Sequence, residues 1–360
     1  METRTLGRTG LQVTPLCLGA MMLGPWGNRD ENDCVRIVHA ALDAGINFID
    51  TADVYSLGAS EEIVGKALAD GRRDKVILAT KFHAPMGEGP NMSGNSRRWI
   101  MQEVEASLRR LRTDWIDLYQ AHRPDPSCDL DETLGALSDL VHQGKVRYLG
   151  CSTFPADLVV ESQWVAARKG LERFVCEQPP YSILARSVEA SLLPACQRFG
   201  MGAIVWSPLN GGWLSGRHRR DLPPAEHGRA ARTPVRFDRS RPEVQAKLEA
   251  VERLAAIADE AGMPLAHLAI AFVLAHPAVT CAIIGPRTMD QLESLIGAEA
   301  LRLDWAVLDR IDEVVPPGKN LDPEDAGWTP PAIADPSLRR RAELRVPGTA
   351  DRHQNQEGRP

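Results

Sequence analysis

Four residues of this chain stand where an apolar run ends, and their types suit one kind of chemistry. Asp50 closes the run Ile46–Ile49 and Tyr55 lies in the loop just beyond it. Lys81 follows the run Val76–Ala79, and His122 follows Ile116–Tyr119. A phenol with an ordinary pKa of about 10 holds its proton too tightly for easy exchange at neutral pH, and a nearby ammonium favours the phenolate. A carboxylate keeps a half-buried ammonium charged, and an imidazole can hydrogen-bond a substrate oxygen beside the phenol. Asp50, Tyr55, Lys81 and His122 are therefore expected to deliver a proton to a carbonyl oxygen during reduction.

Singly, each has an ordinary reading: a turn-capping Asp, a solvated Lys, a hydrogen-bonded loop His. The joint case depends on the elements that place them. Short apolar runs at Pro15–Ala20, Ile46–Ile49, Val76–Ala79, Ile116–Tyr119, Val146–Leu149, Phe174–Cys176, Ala203–Trp206 and Ala282–Ile284 read as buried strands. Helical patterns separate them, over Glu31–Ala44, Ser60–Ala69, Ser96–Leu111, Leu130–His142, Pro155–Arg168, Val188–Phe199, Pro242–His276 (broken near Gly262 and Pro264) and Met289–Leu301.

Strands alternating with helices imply a parallel sheet covered by helices, and eight such units imply an α/β fold of the closed (β/α)8 TIM-barrel type. An open doubly wound sheet is the alternative, disfavoured because no G-x-G-x-x-G occurs. The segments Thr3–Leu6 and Gln12–Val13 around Gly7–Gly10 predict an N-terminal β-hairpin that caps the fold. One barrel domain is expected over residues 1–333, with Leu321–Ile333 folding back over it. Residues 334–360, polar and carrying Arg339–Arg341, read as a flexible C-terminal tail.

In such barrels the active site lies at the carboxyl ends of the strands. That test adds Ser152, Gln178 and the stretch Gly285–Arg287 to the four residues above.

Composition narrows the partners. The 360 residues are 43% hydrophobic and carry a formal charge of −6, so nucleic acid or an anionic membrane is not an expected partner. Seven scattered cysteines with no C-x-x-C pair fit reduced thiols, and the N-terminus has no apolar signal core. The expectation is a cytoplasmic protein acting on a small molecule, with self-association into a homo-oligomer left open.

The motifs Leu6–Leu11, Asn47–Tyr55, Ala79–Lys81, Asp117–Asp125, Gly144–Gly150 and Ile284–Thr288 carry a resemblance. Over about Arg4 to Pro317 the chain resembles the aldo-keto reductases, barrel enzymes that use a nicotinamide cofactor. The resemblance makes Asp50, Tyr55, Lys81 and His122 the catalytic tetrad, with Tyr55 the general acid for reduction. It gives the carboxamide of the nicotinamide to Ser152 and Gln178, and the ring to Trp206. It places Ser207, Leu209 and Gly211 along the pyrophosphate, and Gly285, Arg287 and Gln291 at the adenosine end. Arg287 facing a 2′-phosphate implies NADP(H), with NAD(H) as the alternative and no metal.

Two positions depart from the family pattern. Thr153 stands where Asn is common, which alters a hydrogen bond to the carboxamide. Leu295 stands where an Asn would contact the base.

The stretch Ser207–Arg241 after the seventh barrel strand holds eight arginines and three acidic residues and reads as a long loop. It is either an ordinary solvated insertion or a lid over the cofactor phosphates, with Arg217 the best-placed cation. Trp26, Phe82 and Met86 are expected to wall an apolar substrate pocket, and Trp99 to be packing. Two other functions stay open: a nicotinamide-binding regulatory subunit with little turnover, like the potassium-channel partners that resemble this family, and a Schiff-base enzyme using Lys81.

Overall fold

A computed structural model of the chain describes residues 1–223 and 229–341. Contacts divide it into one unit over Met1–Gly327 and a second from Trp328 onward. The first unit is built on strands β3 (Leu16–Gly19), β4 (Phe48–Asp50), β5 (Ile77–Phe82), β6 (Ile116–Ala121), β7 (Val146–Ser152), β8 (Phe174–Gln178), β9 (Gly202–Val205) and β10 (Val279–Ile284). They pair in parallel in chain order, and β10 returns to β3, closing the expected eight-stranded barrel.

The expected hairpin is present as β1 (Arg4–Thr5) and β2 (Gln12–Val13), paired antiparallel. Its Leu6 and Val13 are fully buried and pack with Cys17, Phe48, Leu118, Cys176, Ile204 and Cys281, so the hairpin plugs the amino-terminal end of the barrel interior. Gly7 makes that approach possible: at φ 55°, a Cβ there would stand 2.7 Å from the carbonyl oxygen of Gly200.

Helices α1 (Glu31–Asp43), α2 (Ala59–Ala67), α3 (Arg97–Leu111), α4 (Leu130–His142), α5 (Ala156–Lys169) and α6 (Leu192–Phe199) follow the first six barrel strands. Each turns an apolar stripe inward, as Ile37, Val38 and Ala41 do in α1. Their starts follow capping chemistry: Asp30 accepts from the Asp33 N–H and Ser96 from that of Trp99. The loop after β9 contains α7 (Arg229–Arg232), and α8 (Pro242–Glu260) and α9 (Leu265–Ala275) come next, broken near Gly262 and Pro264 as expected. No single described helix is long and apolar enough to cross a membrane.

Several boundaries differ from the sequence reading. β5 runs on to Phe82, because Thr80 and Lys81 continue the ladder opposite Tyr119 and Gln120. Lys81 therefore lies within a strand rather than after it. The single helix expected over Met289–Leu301 is the short α10 (Met289–Glu293) and a 3-10 turn, separated by Gly297 at φ 96°. A further helix, α11 (Trp305–Val314), was not anticipated, although Asp304 caps it through the Val307 N–H.

The loop after β9 is not featureless: 3-10 turns at Asn210–Ser215 and Pro234–Phe237 flank α7. Leu321–Gly327 does fold back onto the barrel, where the Leu321 N–H bonds the Leu184 carbonyl. The second unit contains α12 (Pro331–Ala334) and a 3-10 turn at Pro336–Arg339. Most of the expected flexible tail, residues 342–360, lies outside the described residues. All seven cysteines are free, and only Cys128 is not buried.

Candidate active site

Side chains alternate along a strand, so every second residue of the barrel strands points inward. At the carboxyl end this parity raises a polar layer from Asp50, Lys81, Gln120 and Gln178, all buried. The Lys81 ammonium donates to Asp50 Oδ1 at 2.5 Å and to the Thr51 carbonyl at 2.9 Å. The other carboxylate oxygen accepts from Gln178 at 2.8 Å and Gln120 at 3.1 Å. Burial alone lowers the pKa of Lys81, but the Asp50 charge and then Tyr55 outweigh it and hold the ammonium above its ordinary value.

Above this layer the ammonium also reaches the Tyr55 hydroxyl, at 3.4 Å. The His122 ring stands edge-on to Tyr55 with centroids 5.7 Å apart. Burial, then the positive charges of Lys81, Arg123 and His83, keep His122 well below the usual imidazole value. It is therefore a neutral imidazole at physiological pH, able to donate a hydrogen bond without carrying charge. The structure thus brings all four expected tetrad residues together.

The turn carrying Tyr55 is tightly held. Ser56 and Leu57 take left-handed conformations at φ 52° and 54°, and Ser56 Oγ accepts from the Trp26 N–H at 3.1 Å. Behind it the buried Glu61 accepts from Thr80 Oγ1 at 2.5 Å and from Arg110 Nε at 2.6 Å. Arg110 also pairs with Glu103, so one cation from α3 anchors the start of α2. Asp53, in the same turn, is fully buried, and burial followed by the charges of Glu103 and Glu61 pushes its carboxyl well up.

Ser152 and Gln178 end neighbouring strands, and Ser152 Oγ donates to the Gln178 carbonyl at 2.8 Å. Thr153 adopts φ 60°, a region a β-branched residue rarely enters and Asn enters readily. Its hydroxyl accepts a 2.6 Å bond from Arg123 Nη1. Trp206, Ser207 and Gly211 line a small recess together with Pro180, Tyr181, Ala185, Asn210, Arg236 and Asp325. Leu209 packs half-buried against the core.

Arg217 is exposed and Arg287 half-buried, and neither guanidinium has an ion-pair partner among the described residues. The Arg287 N–H bonds Gln291 Oε1 at 2.8 Å, tying the two expected adenosine-end residues together beyond β10 beside the exposed Gly285. Leu295, by contrast, is a core residue, 7% exposed.

The expected pocket wall needs one correction. Phe82 follows inward-facing Lys81 and so points outward; it is fully buried with its ring 4.9 Å from that of Tyr119. Trp26 is half-buried with its ring 6.2 Å from that of Tyr55, and Met86 is half-buried in the loop after β5. Trp99 is buried packing.

The arginine-rich loop places its Arg232 guanidinium 4.6 Å from the Trp26 ring centroid. Its two ends are joined by a stack of Trp213, His218 and Phe237. The sequence reading missed Gln120, which the strand parity signals two places before His122. It also missed Arg236 and Lys247, which share Asp325. Those pairs join segments far apart in sequence and leave no local pattern.

A parallel barrel with a phenol, an ammonium–carboxylate pair and a neutral imidazole at its carboxyl end is the frame of a barrel oxidoreductase. Comparison with known proteins is specific: the chain belongs to the Aldo/keto reductase family, whose model matches residues 15–316. It is 39% identical over 338 residues to an uncharacterized oxidoreductase, YrpG, of Bacillus subtilis, covering 91% of this chain and all of that protein. It is 35% identical to the aldo-keto reductase YhdN of the same species, over 82% of this chain and 88% of the relative. A probable voltage-gated potassium channel subunit beta of Oryza sativa is 36% identical, over 88% of this chain and 97% of the relative.

Proposed function

We propose that the protein reduces aldehydes or ketones to alcohols with NADPH, reversibly, and that Tyr55 supplies the proton. The observation that carries this reading is the Lys81 ammonium placed 2.5 Å from Asp50 and 3.4 Å from the Tyr55 hydroxyl. The ammonium favours the phenolate that remains once the proton has left, and Asp50 keeps the ammonium charged. His122, neutral and edge-on to Tyr55, orients the substrate oxygen toward the phenol.

The residues present fit a nicotinamide dinucleotide. Trp206, Ser207 and Gly211 line one recess, Gly211 and Gly212 have positive φ, and Arg217 and Arg287 are cations with no carboxylate partner among the described residues. When bound, the nicotinamide supplies the hydride. Arg287 favours NADPH over NADH because a 2′-phosphate gives its guanidinium an anionic partner.

A fluorescence titration with NADPH and NADH, followed by a carbonyl panel with the tighter one, tests the reading. Tyr55→Phe is expected to bind cofactor and to lose about 10²- to 10⁴-fold in turnover. Unimpaired reduction by that variant would sink the mechanism.

The channel-subunit relatives favour a second reading, a nicotinamide-binding regulatory subunit with little turnover. Tight cofactor binding, negligible reduction across the panel and recovery of a membrane channel in a pull-down would select it.

A further inference from the structure

Arg123 follows His122 directly at the carboxyl end of β6, so its backbone belongs to the mouth. Both hydrogen bonds of its guanidinium leave from one nitrogen: Nη1 donates to the His122 carbonyl at 2.7 Å and to Thr153 Oγ1 at 2.6 Å. A guanidinium has five N–H groups, so those on Nε and Nη2 remain without a protein acceptor among the described residues.

Apart from Arg287 beyond β10, many other buried or half-buried arginines are paired with carboxylates: Arg73 with Asp117, Arg110 with Glu61, Arg186 with Glu189, Arg236 with Asp325. Arg4 and Arg173 instead spend their donors on several backbone carbonyls. Arg123 has neither arrangement.

A half-buried cation without a counter-charge is costly unless something else neutralises it. Burial pulls the Arg123 guanidinium below its ordinary value, with Tyr55 and Glu177 the acidic groups that act against this. Glu177 makes no ion pair with it among the described residues, and its own burial pushes that carboxyl well up. Thr153, kept in an unfavourable backbone conformation, fixes the direction of the guanidinium. Arg232 lies over Trp26, whose ring neighbours Tyr55, and it too lacks an ion-pair partner among the described residues.

We propose that Arg123 binds an anionic group of the substrate, and that the preferred substrates are short oxo acids whose carboxylate lies a few bonds from the carbonyl reduced at Tyr55. This rests on the reductase reading above and names its substrate class. A carboxylate accepts two parallel N–H bonds from one face of a guanidinium, and the free Nε and Nη2 form such a face. Arg232 adds a second positive charge that draws anions to the mouth.

The test compares each acid with its neutral ester, as pyruvate with methyl pyruvate and 4-oxobutanoate with its methyl ester, in the full-length protein with bound nicotinamide. The readout is the ratio of kcat/KM for acid over ester, which cancels general damage to the site. Wild type is expected to favour at least one acid by 10-fold or more, on the order of one charge-assisted hydrogen bond. Arg123→Met is expected to lower that ratio about 10- to 100-fold, and Arg123→Lys to restore part of it. Which acid responds separates a carboxylate adjacent to the carbonyl from a more distant one.

A ratio near one in wild type, or one unchanged in Arg123→Met, overturns the proposal while leaving the reductase reading intact. If no carbonyl compound is reduced at all, that reading falls, and binding of butanoate against butanamide to the cofactor-loaded protein decides the anion site. Preference for butanoate that Arg123→Met removes supports it, and equal binding of the two overturns it.

Discussion

The Gln178 side chain donates a 2.8 Å hydrogen bond to Asp50 Oδ2 from 128 residues away in sequence. The same carboxylate holds Lys81 through its other oxygen and also accepts from Gln120, so one buried anion ties four strands together. Removing that anion leaves a fully buried ammonium unpaired, and Asp50→Asn is expected to cost about 3–5 kcal/mol of stability as well as activity. The double variant Asp50→Leu, Lys81→Met, with no charge left to bury, is expected to recover much of that stability in urea titrations and none of the turnover. A double variant as unstable as Asp50→Asn would contradict the account.

Glu177 gives a pH dependence of known sign. It is fully buried, one carboxyl oxygen has no partner, and burial holds its pKa well above the ordinary range. The unfolded carboxyl ionises near pH 4.3, and each pH unit above that favours the unfolded chain by up to about 1.4 kcal/mol until the folded group also ionises. Its contribution is thus complete below about pH 4 and is lost as pH rises. Glu177→Gln removes the effect, so its stability advantage over wild type is expected to widen between pH 5 and pH 8. A constant difference in urea midpoints would show that Glu177 is ionised in the fold.

Arg287 concerns cofactor choice. With no carboxylate partner to lose, Arg287→Ala is expected to leave folding intact and weaken NADPH about 10- to 100-fold while moving NADH by under about 3-fold. Paired fluorescence titrations read this directly, and equal weakening of both cofactors would remove the 2′-phosphate from the argument.

Thr153 is held at φ 60°, where a β-branched side chain crowds its own backbone. Thr153→Asn is expected to stabilise the protein by about 1 kcal/mol, since Asn tolerates that conformation. An unchanged or lower urea midpoint would mean that the bond to Arg123 outweighs the strain.

Much of this was readable in the chain. The βα alternation set the barrel, and the residues at strand ends Asp50, His122, Ser152 and Gln178 fell at the mouth because parallel barrels put all carboxyl ends together. Phe82 misled because strand parity, which puts Lys81 inward, must put its neighbour outward. Helix α11 was passed over although Leu308, Ile311 and Val315 recur at helical spacing after Asp304. Arg123 looked like part of a motif; only its geometry shows a cation with donors to spare. The pairing of Lys247 with Asp322 and Asp325 joins an interior helix to a late turn and has no local signature.

With Leu6 and Val13 buried in the amino-terminal end of the barrel, that floor is closed by side chains. Anything that enters the interior layer must use the same doorway by which it leaves. The hairpin thus seals the end of the barrel farthest from Tyr55, and a change there acts on the floor and not on the mouth.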